Sequence, residues 1–477
     1  MLLPAFLGFV AADGGAGSYD QSLEVDEEQR KQRNVVLGVL RNRTMQAGDD
    51  VKLRTYYETY ALSRWTVMDN LPRLATFRRE LQNDLNQGRT GPAHDFLVQL
   101  VLDFMRRELK KNRPPTFRYN AMLTIGSLNQ VDAMSSAQPV VPLPEALDDL
   151  LGALADPQES DAVKVAALLG LLRHARLARG SSTGIGDPQV RDQQVIPAML
   201  QLIASPQPPD RTAAGHAWIR ALAVDLLAAL GQPGAQGEVI KALAALVAED
   251  PGHPLVKETA ARALAQFDLA AVSGLDPKEL AVTLTQMAIQ ICDKELQRYE
   301  KEKRRGTTPA TVAGSGYMGG MMMSGGEGEA EMGYPMEFGE GMEEGSEMFS
   351  GGYGLFGTQT TQRSSIQRRR VGALLDAALT GLVGSKLRGR QLKPSDPNRS
   401  PTGKPIQYEG VGAADAARPI VRDVAVQIDE LLAVLLSEKS DDEVIERMQT
   451  AKSKLEKLIQ AGATPAAAQT SGGTSTG

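Results

Sequence analysis

The chain of 477 residues can bury a sizeable core, since 42% of its residues are hydrophobic. Only 5% are aromatic, so alanine and leucine must supply the packing, and this favours helices over sheets. A net charge of −6 argues against broad nucleic-acid binding, and the single cysteine, Cys292, excludes an intrachain disulfide or a cysteine metal cluster.

Residues 1–34 are predicted to be a possible signal peptide and a tether. Residues 1–12 are apolar and end in small residues, but the run is short and no Lys or Arg precedes it. A secreted or periplasmic protein is one prediction, and a cytoplasmic protein is the alternative. Residues 13–34 are polar and charged, as a tether is, and no other stretch is apolar enough to span a bilayer.

Residues 35–91 have a helical pattern that is unusually rich in aromatic residues. Because a stack of helix pairs exposes an apolar end, we interpret this region as an N-terminal cap, with an aromatic recognition surface as the alternative. The aromatic residues concerned are Tyr56, Tyr57, Tyr60, Trp65 and Phe77.

A short pattern returns four times between residues 92 and 305. Each copy has an apolar residue and a base, then alanine three residues after the base and apolar residues four and seven after it. These offsets lie on one face of a helix, and the small alanine lets a neighbouring helix approach closely. The bases are Arg118, Lys164, Arg220 and Lys257, at spacings of 46, 56 and 37 residues, and the alanines are Ala121, Ala167, Ala223 and Ala260.

Each copy follows an upstream apolar run and a turn, so the unit is a pair of helices. The pattern resembles the HEAT-repeat, or armadillo-like, family, whose inner helices open with an Asp-Pro turn and a Val-Arg/Lys pair. The copy from Asp250-Pro251 to Phe267 carries the resemblance best, and the copy from Asp156-Pro157 to Leu172 comes next. The resemblance covers under half of the chain, and the uneven spacing departs from a regular array.

The resemblance implies an all-α solenoid of antiparallel helix pairs over residues 35–305. It also implies a non-catalytic scaffold that binds a protein on its concave face. In that family the equivalent base usually pairs with an acidic residue of a neighbouring turn. The four bases therefore either make such pairs or form a ladder that recognises an acidic partner, whose identity the sequence leaves open along with the oligomeric state.

Two further segments within 35–305 are predicted from local signals. Residues 180–194 form a Gly- and Ser-containing insert, and we interpret its first part, residues 180–186, as a surface loop because it lacks the lysine and preceding strand of a phosphate loop. Asp276-Pro277 is a strong helix start, and the helix that follows is predicted to continue to Arg305.

Residues 306–365 form an acidic loop that is predicted to be disordered. Positions 306–357 contain 16 Gly, 8 Met and 8 Glu but no Lys, Arg or Asp, a composition that buries too little to offset chain entropy. Thioether sulfur is a ligand for soft ions, so copper binding by this loop is an alternative function. The methionine spacing is irregular, and this favours a flexible partner-binding segment instead.

The remaining chain is predicted to contain C-terminal helices over residues 366–461. A Pro-rich linker covers residues 393–405, and helices from Pro419 and from the capping box at Ser440 form a hairpin. Residues 462–477 are predicted to be a disordered tail.

No catalytic, cofactor-binding or metal-binding residue is predicted. The histidines, His94, His174, His216 and His253, lack the spacing of a metal site, and His174 stands where other copies have Leu or Phe, as a core residue would. The match of residues 314–319 to a dinucleotide fingerprint has no strand before it. An enzyme with an unrecognised site is the less favoured alternative.

Overall fold

The computed structural model describes residues 18–42, 44–133, 140–178, 182–269, 272, 275–306, 366–384, 409–437 and 439–463. The predictions for a signal peptide, for the loop after Gly306, for the Pro-rich linker and for the tail after Ala463 lie outside these residues. Two units are distinguished, Tyr19–Glu295 with Ser364–Gly477, and Met1–Ser18 with Leu296–Arg363. All contacts described below belong to the first unit.

The described chain is predominantly helical, which confirms the all-α prediction. Within the described ranges, strands are limited to a short antiparallel pair, β1 (Asn129–Val131) and β2 (Val141–Pro142). The helices are α1 (Arg33–Asn42), α2 (Asp49–Tyr56), α3 (Leu74–Gly88), α4 (Pro92–Leu109), α5 (Pro115–Ser127), α6 (Ala146–Ala155), α7 (Asp161–Leu177), α8 (Pro188–Val190), α9 (Ile196–Ala204), α10 (Ala213–Leu230), α11 (Glu238–Ala248), α12 (Pro254–Leu264), α13 (Pro277–Gly306), α14 (Ile366–Val383), α15 (Arg418–Leu435) and α16 (Asp441–Ala463).

The aromatic residues of the N-terminal region are packed in its core. Tyr56 and Tyr57 make an edge-to-face contact with centroids 5.0 Å apart, and Trp65 lies 6.4 Å from Phe77. All four are 1% exposed, so packing rather than recognition accounts for them.

The N-terminal segment ahead of α1 is fixed to the rest of the unit rather than hanging free. Arg113, 1% exposed, donates to the carbonyls of Asp20 (3.1 Å) and Gln21 (2.9 Å) and pairs with the buried Glu108. Ser22 donates to the carbonyl of Thr66 at 2.9 Å. A polar composition predicted a tether, but the backbone of this segment supplies acceptors that a buried guanidinium needs.

Each of the four repeated patterns forms a helix. They are α5, α7, α10 and α12, and these helices pack in succession, α5 on α7, α7 on α10 and α10 on α12. The alanine three residues after each base is fully buried, with 0% exposure, in all four helices: Ala121, Ala167, Ala223 and Ala260. α5 and α7 approach each other closely, since a Cβ added to Gly126 would lie 2.7 Å from the Cα of Gly170. Small residues therefore set the spacing of this helix row.

The apolar runs upstream of each copy form the partner helices. α4 packs on α5, α6 on α7, α9 on α10, and α11 on α12. Their inward positions, such as Leu150 and Leu243, are fully buried. Each copy is thus one pair of packed helices.

α14 joins this row as a further member. It packs on α12, and a Cβ added to Gly381 would lie 2.7 Å from the carbonyl oxygen of Ala261 and 3.1 Å from Leu284 of α13. Gln367 at the start of α14 donates to Glu295 of α13 at 3.0 Å. Those two contacts make α13 and α14 antiparallel, so they form a fifth pair with residues 307–365 inserted between its helices.

The last two helices follow this pair. α15 packs on α14 and α16 packs on α15, with residues 436–440 between them. Lys452 of α16 forms an ion pair with Asp293 of α13 at 2.7 Å. The C-terminal helices are therefore built onto the end of the helix row.

The insert between the second and third copies contains helical structure in its second half. Asp187 caps α8 by accepting from the amide of Gln189, and Pro188 occupies the first helical position. A π-helical turn, Arg191–Val195, then runs directly into α9. α-Helical structure in the insert therefore begins at Pro188, after residues 180–186, the stretch that was predicted to be a surface loop.

Candidate partner-binding surface

Arg118 bridges two turns along one edge of the helix row. Its Nη1 donates to the carbonyl of Leu109 at 2.7 Å, at the end of α4. Its Nη2 pairs with Oε2 of Glu159 at 2.6 Å, in the turn before α7. The side chain of Glu159 is 10% exposed, so this pair is largely sealed from solvent.

Arg220 repeats this arrangement in a later copy. Its Nε donates to the carbonyl of Ile203 at 2.9 Å, near the end of α9, and its Nη2 pairs with Oε2 of Glu249 at 2.9 Å, before α12. We call the surface formed by Arg118, Glu159, Arg220 and Glu249 the turn edge. Each arginine there ties its own pair of helices to the turn of the next.

The two lysines of the predicted ladder behave differently. Lys257 is 6% exposed and its Nζ donates to Oε1 of Gln290 at 3.1 Å. Burial, followed by the charge of Lys294, lowers the pKa of Lys257. Lys164 is half-buried, and its side chain makes no hydrogen bond or ion pair with a described residue. The four bases thus occupy equivalent helix positions without forming one uniform row, and recognition of an acidic partner by them stays a prediction.

A second row of equivalent positions lies five residues after each base. All its members are half-buried, so they contact the neighbouring helices and also reach solvent. The row consists of Leu123, Leu169, Asp225 and Arg262. We call the surface formed by this row together with Arg78, Tyr119 and Arg173 the inner face. Sequence reasoning missed the row, although the repeat register that located the alanines also locates this offset.

The later half of the inner face carries charges that neutralise one another. Arg262 pairs with Glu258 at 2.5 Å and with Asp376 of α14 at 3.4 Å. Burial raises the pKa of Asp225, whereas Arg176 and Arg262 oppose this shift. This half leaves little net charge for a ligand.

The earlier half of the inner face is apolar between two arginines. Tyr119 and Leu123 of α5 are one helical turn apart and Leu169 is the equivalent of Leu123 on α7. Arg78 of α3 donates to Oδ1 of Asn120 at 3.2 Å, next to Tyr119. Arg173, one turn beyond Leu169, donates to Oδ1 of Asn129 at 2.6 Å. Burial lowers the pKa of both arginines.

A buried polar network lies beneath the earlier half of the inner face. His94 Nε2 and Asp132 Oδ2 are 3.0 Å apart, and Asn129 also donates to Asp132. Burial alone would lower the pKa of His94, but hydrogen bonds to Asp132 and Asp95 raise it. His94 is 0% exposed and Asp132 is 2% exposed. This His–Asp pair is sealed from solvent and joins α4 to the residue after β1, while Asn129 of β1 accepts from Arg173 of α7.

The other three histidines belong to α7, to α10 and to the start of α12. His174 is 1% exposed and its Nε2 has no hydrogen-bond partner among the described residues. Burial and the charge of Arg173 lower its pKa to about 4, so the ring is neutral near pH 7. His216 contacts Arg211, and His253 caps α12. Within the described ranges, His, Cys, Asp and Glu form no group of three or more that could hold a metal ion.

A cleft of about 400 Å³ beside α4, α5 and α6 is lined by Arg106, Asp149 and Glu159 among others, but Arg106 and Asp149 pair with each other at 2.7 Å. By length and composition α10 could cross a bilayer; 61% of it is buried, as in the core helix of a soluble protein.

Comparisons of the chain with family models, curated proteins and solved structures found no match.

Proposed function

We propose that this chain is a HEAT-type solenoid that serves as a non-catalytic scaffold and binds a protein partner on its inner face. The observation that carries the proposal is the register of the repeat. The same offset from the base buries alanine in every copy, and another offset is half-buried in every copy. A stack with such a register presents one continuous surface along its inner helices, as repeat proteins do.

The chemistry of the described polar groups favours binding over catalysis. The pair most similar to a catalytic dyad is His94 and Asp132, and both are sealed in the core. The inner face instead combines apolar side chains with arginine, the composition that is enriched at protein interfaces.

Site-specific photocrosslinking tests this proposal. A benzophenone amino acid placed at Leu169 on the inner face is expected to capture one reproducible protein in cells of the source organism. The matched control places the same probe at Gln201, which is exposed on the partner helix α9. Adducts at Leu169 that are absent at Gln201 support the proposal, whereas no adduct at Leu169, or the same adducts at both positions, contradicts it.

A further inference from the structure

Two arginines on the inner face are held by amides instead of carboxylates. Arg78 donates to Asn120 at 3.2 Å and Arg173 donates to Asn129 at 2.6 Å. Elsewhere the half-buried arginines have acidic partners, as Arg118 has Glu159 and Arg106 has Asp149. An amide oxygen orients a guanidinium but carries no charge that would neutralise it, so neither arginine gains an ion-pair partner from these contacts.

The nearest buried carboxylate does not change this balance. Asp132 favours the charged form of Arg173, but it already accepts hydrogen bonds from His94 and Asn129. Among the described residues, neither Arg78 nor Arg173 has a carboxylate oxygen within 4 Å of its guanidinium, and Arg173 also donates to the carbonyl of Gly126 at 3.5 Å. Both therefore keep donors that a carboxylate from outside can use.

The surface between the two arginines is apolar. Tyr119, Leu123 and Leu169 are half-buried there, on two helices brought together by the Gly126–Gly170 contact. Partial burial makes the environment less polar than bulk water, and a charge pair formed in such a place is stronger than one on an open surface. The apolar residues also supply surface that a partner can cover.

We propose that the inner face of α3, α5 and α7 binds a segment of a partner protein that carries apolar side chains between carboxylates. The apolar residues pack on Tyr119, Leu123 and Leu169, and the flanking carboxylates pair with Arg78 and Arg173. This assignment rests on the proposed function and names its partner class. A peptide fits better than a nucleic acid, because two arginines around leucine do not form the extended basic track that phosphates require and the chain carries a net charge of −6.

The test uses the full chain and short fluorescein-labelled peptides of alternating Glu and Leu. Binding is measured by fluorescence anisotropy and is expected to weaken as salt rises from about 50 to 300 mM. Arg78→Gln and Arg173→Gln should each weaken binding about tenfold. The matched control is Arg369→Gln on α14, an exposed arginine away from this surface, and it should leave the affinity unchanged.

A further variant, measured for both binding and helix content, separates loss of binding from loss of folding. Leu123→Glu adds a carboxylate to a half-buried surface position, and it should abolish binding while circular dichroism shows the helices intact. Equal affinity of the native chain and Arg78→Gln overturns the inference, and so does equal binding of a Lys–Leu peptide. Tighter binding of single-stranded DNA that also depends on Arg78 would assign a nucleic acid instead. Absence of peptide binding together with crosslinks at Leu169 would overturn this inference and leave the scaffold proposal standing.

Discussion

The turn edge and the earlier half of the inner face both carry half-buried arginines, but these arginines have different partners. On the turn edge, Arg118 and Arg220 each pair with a carboxylate of the next turn and with a backbone carbonyl. On the inner face, Arg78 and Arg173 are held by asparagine amides. A guanidinium that is paired inside the molecule stabilises the fold, whereas one held by an amide is oriented and remains available to a ligand.

The largest expected effect concerns the helix contact on which the inner face depends. Gly126→Val should lower the free energy of unfolding by about 3 kcal/mol, since the added side chain meets the backbone of Gly170 and cannot displace it. Urea denaturation measures this change. Gly152→Val is the control, because a Cβ at Gly152 meets nothing within 4 Å. Similar losses of stability for the two variants would show that the close contact between α5 and α7 is not the cause of the loss at Gly126.

The second prediction sets the two surfaces directly against each other. Arg118→Gln should cost about 2 kcal/mol of stability, because it leaves the nearly buried carboxylate of Glu159 without its ionic partner. Arg78→Gln should change stability by less than about 0.5 kcal/mol, because no carboxylate depends on it. Chemical denaturation measures the free energy of unfolding of both variants. A larger loss for Arg78→Gln than for Arg118→Gln would contradict the difference between the two surfaces.

The buried His174 should make the stability of the folded chain depend on pH in the acid range. The folded pKa of His174, about 4, lies below its ordinary value of 6.5, so the unfolded chain takes up the proton first as the pH falls. Stability is therefore lost between pH 6.5 and 4. His174→Leu, which restores the residue type of Leu128 and Leu230, should be more stable than the native chain at pH 5 by about 2 kcal/mol. An unchanged difference between pH 7 and pH 5 would contradict this.

The smallest effect is expected at the network under Arg173. The folded pKa of His94 is raised, so its contribution to stability is fully present below the ordinary value of 6.5 and is lost as the pH rises through the folded pKa. His94→Gln should therefore destabilise the chain more at pH 6 than at pH 8. Thermal unfolding at both pH values measures this, and an equal loss at each would exclude a charged His94.

The sequence predicted the helical class, and it located the four repeated helices through the offsets of Ala121, Ala167, Ala223 and Ala260. Local periodicity was sufficient there because helix positions follow from spacing alone. It did not predict that α14 joins the row, since the contact of Gly381 with Ala261 crosses the inserted residues 307–365.

The inner face was missed for a related reason. Arg78 and Asn120 lie 42 positions apart, and Arg173 and Asn129 lie 44 apart, so only the packing of α3, α5 and α7 brings them together. The sequence shows which residues carry charge. Whether an arginine meets a carboxylate or an amide is decided by tertiary contacts, and that distinction separates the two surfaces.

Hydrogen exchange with and without the Glu–Leu peptide is the most direct measurement of whether a partner binds on the inner face. We expect slower amide exchange in α3, α5 and α7 on binding, with no change in the turns that contain Glu159 and Glu249. Protection of those turns, with α3, α5 and α7 unaffected, would place the partner on the turn edge and contradict the account.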